Sequence, residues 1–211
     1  MKRVVIFGST GVTGLCSLRT AVEKGLEVRV LVRDKNKIPK DLIDKVEAVI
    51  GDVTNAEDVA KAVAGTDAVV VILGIGKNLS PSTVLSEGMQ NIINAMKAHN
   101  VELVSVCLSG FLFYTLEETP AMCKDLTIEH QRMFDITKSS GLKWVAVFPP
   151  WITGAPKSKY TVTIDSVAGR VISKHDLGAF LVECLENPDY YQKIVGLATQ
   201  HKTCRNVKIH E

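Results

Sequence analysis

The chain has 211 residues, 46% hydrophobic and 23% charged, and carries 25 Lys plus Arg against 23 Asp plus Glu for a net charge of +2. That length suits one domain whose core needs no disulfide or metal, and the composition excludes collagen-like, low-complexity and largely disordered chains. The charges balance too evenly to imply nucleic acid or an anionic membrane as a partner.

In chain order, short apolar β-branched runs alternate with amphipathic stretches. Arg3–Phe7, Glu27–Val32, Val46–Ile50, Ala68–Leu73, Val101–Leu108 and Leu142–Phe148 are expected as strands, with Lys193–Ala198 as a last one. All are apolar on both faces, as buried parallel strands are. Helices are expected over Val12–Lys24, Ala56–Ala64, Thr83–His99, Leu126–Ser140 and Lys174–Glu186. Gly25 stands as a C-cap, Asn55 as an N-cap, and Gly141 as a stop. This repetition implies an α/β fold: a single domain over residues 1–211 with a Rossmann-like, doubly wound parallel sheet. Two stretches are expected to be irregular, Ser109–Asp125 and Pro149–Arg170. Both follow strands, so both belong at the carboxyl edge of the sheet, where ligands bind in such folds.

Five cysteines without a C-x-x-C pair point to reduced thiols in a cytoplasmic protein. No apolar window approaches the length of a membrane span. His201-x-x-Cys204 is the nearest approach to a metal-ligand spacing and stands in a polar tail, so no metal is expected. The sequon Asn78-Leu79-Ser80 is taken as chance.

Between the first strand and first helix stands Gly8-Ser9-Thr10-Gly11-Val12-Thr13-Gly14, a G-x-x-G-x-x-G pattern. Gly8 permits the tight turn, Gly11 lets backbone approach a pyrophosphate, and Gly14 allows close packing of helix on sheet. N–H groups at the helix start favour the anion, and the Ser9, Thr10 and Thr13 hydroxyls can add to them. After the second strand comes Arg33-Asp34-Lys35-Asn36-Lys37. An arginine there suits the 2′-phosphate of NADP, whereas Asp34 could bond the ribose hydroxyl of NAD; three cations against one acid favour NADP(H). Asp52, after the third strand, can bond an adenine amino group or cap a turn. Leu73-Gly74-Ile75-Gly76 lets backbone lie along a cofactor or simply ends the fourth strand.

None of Tyr114, Tyr160, Tyr190 and Tyr191 has a lysine four positions on, so the Tyr-x-x-x-Lys pair of alcohol dehydrogenases is absent; Phe134 has Lys138 at that spacing. A G-x-S-x-G elbow is also absent. Ser109 follows the fifth strand, where a catalytic serine stands in many dehydrogenases. Phe111, Leu112, Phe113 and Tyr114 follow it, and Trp151 follows Pro149-Pro150. These aromatic residues suggest an apolar mouth for a flat ligand.

The stretches Ile6–Gly14, Val30–Asp34 and Gly51–Val53 resemble the atypical short-chain dehydrogenases with NmrA-like NAD(P)-binding domains. Four further stretches, Leu79–Gly88, Asn94–His99, Ser139–Val147 and Arg170–Gly178, resemble the biliverdin-IXβ reductases, also known as NADPH-dependent flavin reductases. The likeness covers about residues 3–185. It implies a monomeric enzyme holding NADPH over an open pocket in which small molecules, flavins (FMN, FAD, riboflavin) or non-alpha biliverdins, are reduced as substrates. By resemblance, Gly8, Thr10, Gly11, Val12, Thr13 and Gly14 hold the pyrophosphate. Arg33 and Lys37 take the 2′-phosphate, Asp52 and Val53 the adenine side, and Leu73 and Gly74 the middle of the cofactor. Ser109 stands near the nicotinamide as the catalytic residue, bordered by Pro149 and Ile152; Phe111, Phe113, Tyr114 and Trp151, read from their clustering and not from the resemblance, are expected to meet the substrate. The chain departs from the family pattern at Trp151, where the family has histidine, at Leu108 for threonine and at Lys37 for arginine. His130 is expected as an ordinary histidine on a helix surface. NmrA-like domains also include NADP(H)-binding redox sensors without catalysis, and this is the alternative function.

Overall fold

The structure, a computed structural model, describes residues 1–74, 76 and 82–200; Ile75, the sequon at Asn78, and His201 and Cys204 lie outside the described residues. In chain order the elements are β1 (Arg3–Phe7), α1 (Val12–Glu23), β2 (Glu27–Val32), β3 (Val46–Ile50), α2 (Ala56–Val63), β4 (Ala68–Val71), α3 (Val84–Ala98) and β5 (Leu103–Cys107). There follow α4 (Lys124–Lys138), β6 (Lys143–Phe148), β7 (Trp151–Thr153), β8 (Tyr160–Ile164), β9 (Val171–Ser173), α5 (Lys174–Glu183) and β10 (Lys193–Thr199).

Eight strands form one sheet in the order β3-β2-β1-β4-β5-β6-β10-β8. Seven of the eight strands, β3 through β10 in that order, run parallel to one another, because each passage between them crosses a face of the sheet through a helix or turn. Alternate residues of the same strand feed two separate cores. Val5 and Phe7 join Val59, Met89, Ile92 and Met133 on the face covered by α2, α3 and α4. Val4 and Ile6 join Leu18, Ala21, Leu177 and Leu181 on the face covered by α1 and α5. Burying one such side chain contributes about 1.5–3 kcal/mol, so the sheet is held from both sides.

Local chemistry ends the elements where the residues suggest. Gly25 follows α1 at φ +73°, a left-handed conformation that glycine adopts without Cβ strain. The Asn55 side chain accepts from the N–H groups of Glu57 and Asp58 and starts α2. The Asp67 carboxylate accepts from the N–H groups of Lys2 at 2.6 Å and Arg3 at 2.9 Å, clamping the entry to β1.

One expectation needs correction. The stretch Pro149–Arg170 is not irregular: it holds β7 and β8. β7 pairs with β9 in a separate two-stranded parallel sheet, and β8 lies antiparallel to β10 at the sheet edge, so the main sheet is not wholly parallel. Neither strand has a fully buried residue or a continuous apolar run, which hides them from a search for buried strands. Among the described residues no helix is long and apolar enough to cross a membrane.

Candidate functional site

The chain leaves β1 toward β2 on one side and reaches β4 on the other, so the sheet reverses its winding between β1 and β4. Crevices outside the carboxyl ends of strands at such a point bind ligands. The turn placed there tolerates only glycine at two positions. Gly8 lies at φ +83°, and a Cβ on it would stand 2.0 Å from the Ile72 carbonyl oxygen. A Cβ on Gly14 would stand 2.0 Å from the Gly8 carbonyl oxygen. The Gly11 N–H donates to Gly8 O at 3.1 Å and tightens the turn. Gly11 then begins α1 with no side-chain cap and no acid in the first turn. The first N–H groups of the helix, on Val12, Thr13 and Gly14, therefore have no partner of the kind that usually satisfies a helix start, and its positive end is uncompensated. Beneath the turn, the Ser9 hydroxyl is fully buried and has no partner among the described residues. Thr13 is buried, Thr10 half-buried, and Val12 exposed. A glycine-lined cradle with free donors and an orphan hydroxyl fits the pyrophosphate of a dinucleotide.

Arg33, Lys35 and Lys37 stand exposed at the end of β2 and in the short 3-10 turn after it. Asp34 caps that turn, its carboxylate accepting from the Asn36 N–H at 2.9 Å. Asp52, past β3, accepts from the Thr54 N–H at 3.0 Å and hydroxyl at 2.8 Å. These bonds hold its carboxyl below the usual range, with a smaller contribution from the charge of Arg33. Asp52 thus serves its own turn. Val53 is fixed on α3: its carbonyl accepts from Asn91 at 3.0 Å, and its side chain fills the space that a Cβ on Gly88 would need. Leu73 packs on the core past β4, and Gly74 is exposed.

At the carboxyl ends of β5 and β6 lies a cavity of about 590 Å³, whose wall includes Ser109, Phe111, Phe113, Tyr114, Pro149, Trp151 and Ile152. Phe113 stands edge-on to Phe148 with ring centroids 5.0 Å apart. Ser109 accepts from the Phe111 N–H at 3.2 Å and so begins the 3-10 turn Gly110–Phe113. Gly110 is needed there, since a Cβ on it would stand 2.4 Å from the Pro149 carbonyl oxygen. Trp151, in β7, is 75% exposed at the mouth. The structure therefore gathers Ser109 and the four aromatic residues with Pro149 and Ile152 in one cavity. The glycine turn, Arg33, Lys37 and Asp52 stand at the neighbouring ends of β1, β2 and β3 and do not line it. From β2 to β6 is roughly 20 Å at ordinary strand spacing, with the end of β4 between the two groups.

The sequence expectation for His130 fails. It is not on the helix surface but only 8% exposed, and it lines the same cavity. Neither ring nitrogen has a partner among the described residues, and burial pulls its pKa down to about 4 against a small opposing pull from Glu129. The signal was its spacing: His130 stands three and four residues before the buried Met133 and Phe134, on the same face of α4. Arg170, Val167 and Gly169 also line the cavity; the sequence placed their segment at the ligand edge of the sheet but did not single them out.

The chain is 38% identical over 90 residues to a 3-beta-hydroxysteroid dehydrogenase of Mycolicibacterium neoaurum, a match spanning 43% of this chain and about a quarter, 24%, of that protein. It is 23% identical to an isoflavone reductase homologue, A622, of Nicotiana glauca, across 93% of this chain and 68% of the relative. The structure of a short-chain dehydrogenase/reductase of Veillonella parvula in complex with NADP superposes with a TM-score of 0.78 at 16% identity, covering 96% of each chain. The profile of one family, described as NAD(P)H-binding, matches residues 8–188, a span that starts at the glycine of the β1 turn and runs past α5. With the profile covering most of its length, the chain belongs to this NAD(P)H-binding family.

Proposed function

We propose that the protein is an NADPH-dependent reductase delivering hydride to a planar acceptor: a flavin (FMN, FAD or riboflavin, as substrate) or a non-alpha biliverdin. The observation that carries this is the aromatic-walled cavity of about 590 Å³ next along the sheet edge from the glycine turn. The nicotinamide, when bound, supplies the hydride; the chain supplies binding and alignment. Gly8 to Gly14 hold the pyrophosphate, and Leu73 and Gly74 border the middle of the cofactor. Ser109 uses its oxygen to accept from Phe111, leaving its proton to donate toward a ligand. Phe111, Phe113, Tyr114 and Trp151 exclude water from a flat ring. A reduced flavin takes its second proton from solvent, so no side-chain acid is required. The names of the two relatives, a dehydrogenase and a reductase homologue, and the NADP held by the Veillonella protein support a redox function.

NADP(H) rather than NAD(H) is supported by three exposed cations around an acid already committed to its own turn. Arg33→Ala is expected to raise the KM for NADPH roughly ten- to a hundredfold, worth about 1–3 kcal/mol, and to leave that for NADH unchanged. Steady-state kinetics with both cofactors decide this, and an unaltered NADPH constant refutes the assignment. For the acceptor, NADPH absorbance is followed with and without FMN. Oxidation that accelerates with FMN is expected, while none would leave a non-catalytic NADP(H)-sensing domain.

A further inference from the structure

His130 is costly where it stands. Leaving a buried polar group without a partner costs about 1–3 kcal/mol. Here both ring nitrogens are hidden from solvent and unpartnered among the described residues, yet the residue lines the cavity. Its contact with the cavity is therefore made by carbon. The neighbouring acid does not serve the ring. Glu129 points to α3, where it accepts from the Ser86 N–H at 2.8 Å and hydroxyl at 3.0 Å, and it pairs with Arg132 at 3.2 Å. The other titratable or charged side chains of the cavity wall, Tyr114 and Arg170, are exposed at its rim. A half-turn of an imidazole about its Cβ–Cγ bond exchanges Nδ1 with Cδ2 and Nε2 with Cε1 at almost no change of shape. That turn moves both nitrogens to the opposite edge of the ring, away from the positions in which they are now hidden.

We propose that His130 is a specificity contact of the cavity, turning its ring to give one hydrogen bond to the neutral polar edge, a lactam or carbonyl, of a planar ligand. The proposal rests on the cavity being the acceptor site. Burial keeps the ring uncharged at neutral pH, so the bond suits a neutral edge rather than a carboxylate. The hydrocarbon walls bind any flat ring; the imidazole distinguishes rings that carry a polar edge.

A matched pair of tricyclic probes tests this by direct binding, read by tryptophan fluorescence with Trp151 at the cavity mouth. Phenanthridinone carries a lactam, and phenanthrene is its hydrocarbon counterpart. The protein is expected to prefer the lactam about tenfold. His130→Phe abolishes that preference, and His130→Asn, which keeps a donor and an acceptor, restores part of it. The 15N signals of the His130 ring shift with the lactam and not with the hydrocarbon. An undiminished preference in His130→Phe, or a ring signal that stays still when the lactam binds, overturns the proposal and leaves the reductase function standing, since neither readout involves hydride transfer. If neither probe binds, the cavity is not the acceptor site and both proposals fall.

Discussion

Gly14→Ala is expected to weaken NADPH binding about a hundredfold or more, ~3 kcal/mol of lost contacts to an anion. The added methyl would stand 2.0 Å from the Gly8 carbonyl oxygen, and both atoms belong to backbone. Gly8 cannot retreat, because it is itself pressed on the Ile72 carbonyl, with no room for a Cβ. The turn must open, and the donors of the helix start then no longer converge. Overpacking of this kind costs typically 1–3 kcal/mol of stability, so a lowered melting temperature accompanies the effect. Gly25→Ala provides the control. It strains a φ of +73° at the far end of α1, where an added Cβ meets nothing within 4 Å. It should lower stability by about 1 kcal/mol and leave NADPH affinity unchanged. Calorimetric titration with NADPH on all three proteins checks this; equal affinities would remove the turn from the cofactor site.

The second large effect is a loss of stability in mild acid. His130 titrates at about 4 in the folded protein, against 6.5 for an unburied imidazole. Between those values the unfolded chain binds a proton that the folded chain does not. Stability is therefore undiminished above pH ~6.5 and falls as the pH drops toward ~4, by on the order of 3 kcal/mol in all. His130→Phe should abolish this slope. The Asp52 and Asp67 carboxyls, held low by hydrogen bonds, also lose their contribution as acid protonates them, but they do so equally in both proteins. Urea denaturation at neutral pH and near pH 4.5 isolates the difference. If the two proteins lose the same stability, the imidazole is not kept neutral by the fold.

The parts of the molecule that carry a period or a turn were legible before any coordinates. β1 appears where its uninterrupted Val and Ile run predicts, because a strand buried on both faces has no polar position to confuse its bounds; β2 and β3 also keep their expected bounds, although Arg29 interrupts the one and Glu47 the other. Gly8 and Gly14 could be assigned because only the absence of a side chain meets a 2.0 Å approach. The expected strand Val101–Leu108 is shortened to Leu103–Cys107, its ends taken up by the links on either side. What the sequence did not disclose depends on partners distant along the chain. Trp151–Thr153 becomes a strand by pairing with Val171–Ser173, about twenty residues on. Arg170 reaches the cavity only because that pairing folds its segment back beside Trp151, whose N–H bonds the Arg170 carbonyl at 3.2 Å. On α4 the buried face includes Thr127, Glu129 and His130, so polar residues stand where a simple hydrophobic pattern leads the eye to solvent. The expected positions of the cofactor's contacts came largely from resemblance, and the structure adds to them a division: Pro149 and Ile152 line the aromatic cavity, apart from the glycine turn.

The carboxylate clamp of Asp67 has a consequence for alignment. Val4 and Ile6 feed one core, Val5 and Phe7 the other, and all four are apolar. Sliding the strand by a single position would exchange two oily sets; in one direction it would carry Arg3 into the buried place of Val4, but in the other it would bury no charge, so greasiness alone does not choose against that setting. The choice falls to the anchors: a carboxylate gripping two amides at the upstream end, and a turn without room for a methyl at the downstream end. Loosening the upstream grip would let the strand creep and drag the glycine turn with it, although no residue of that turn had been altered.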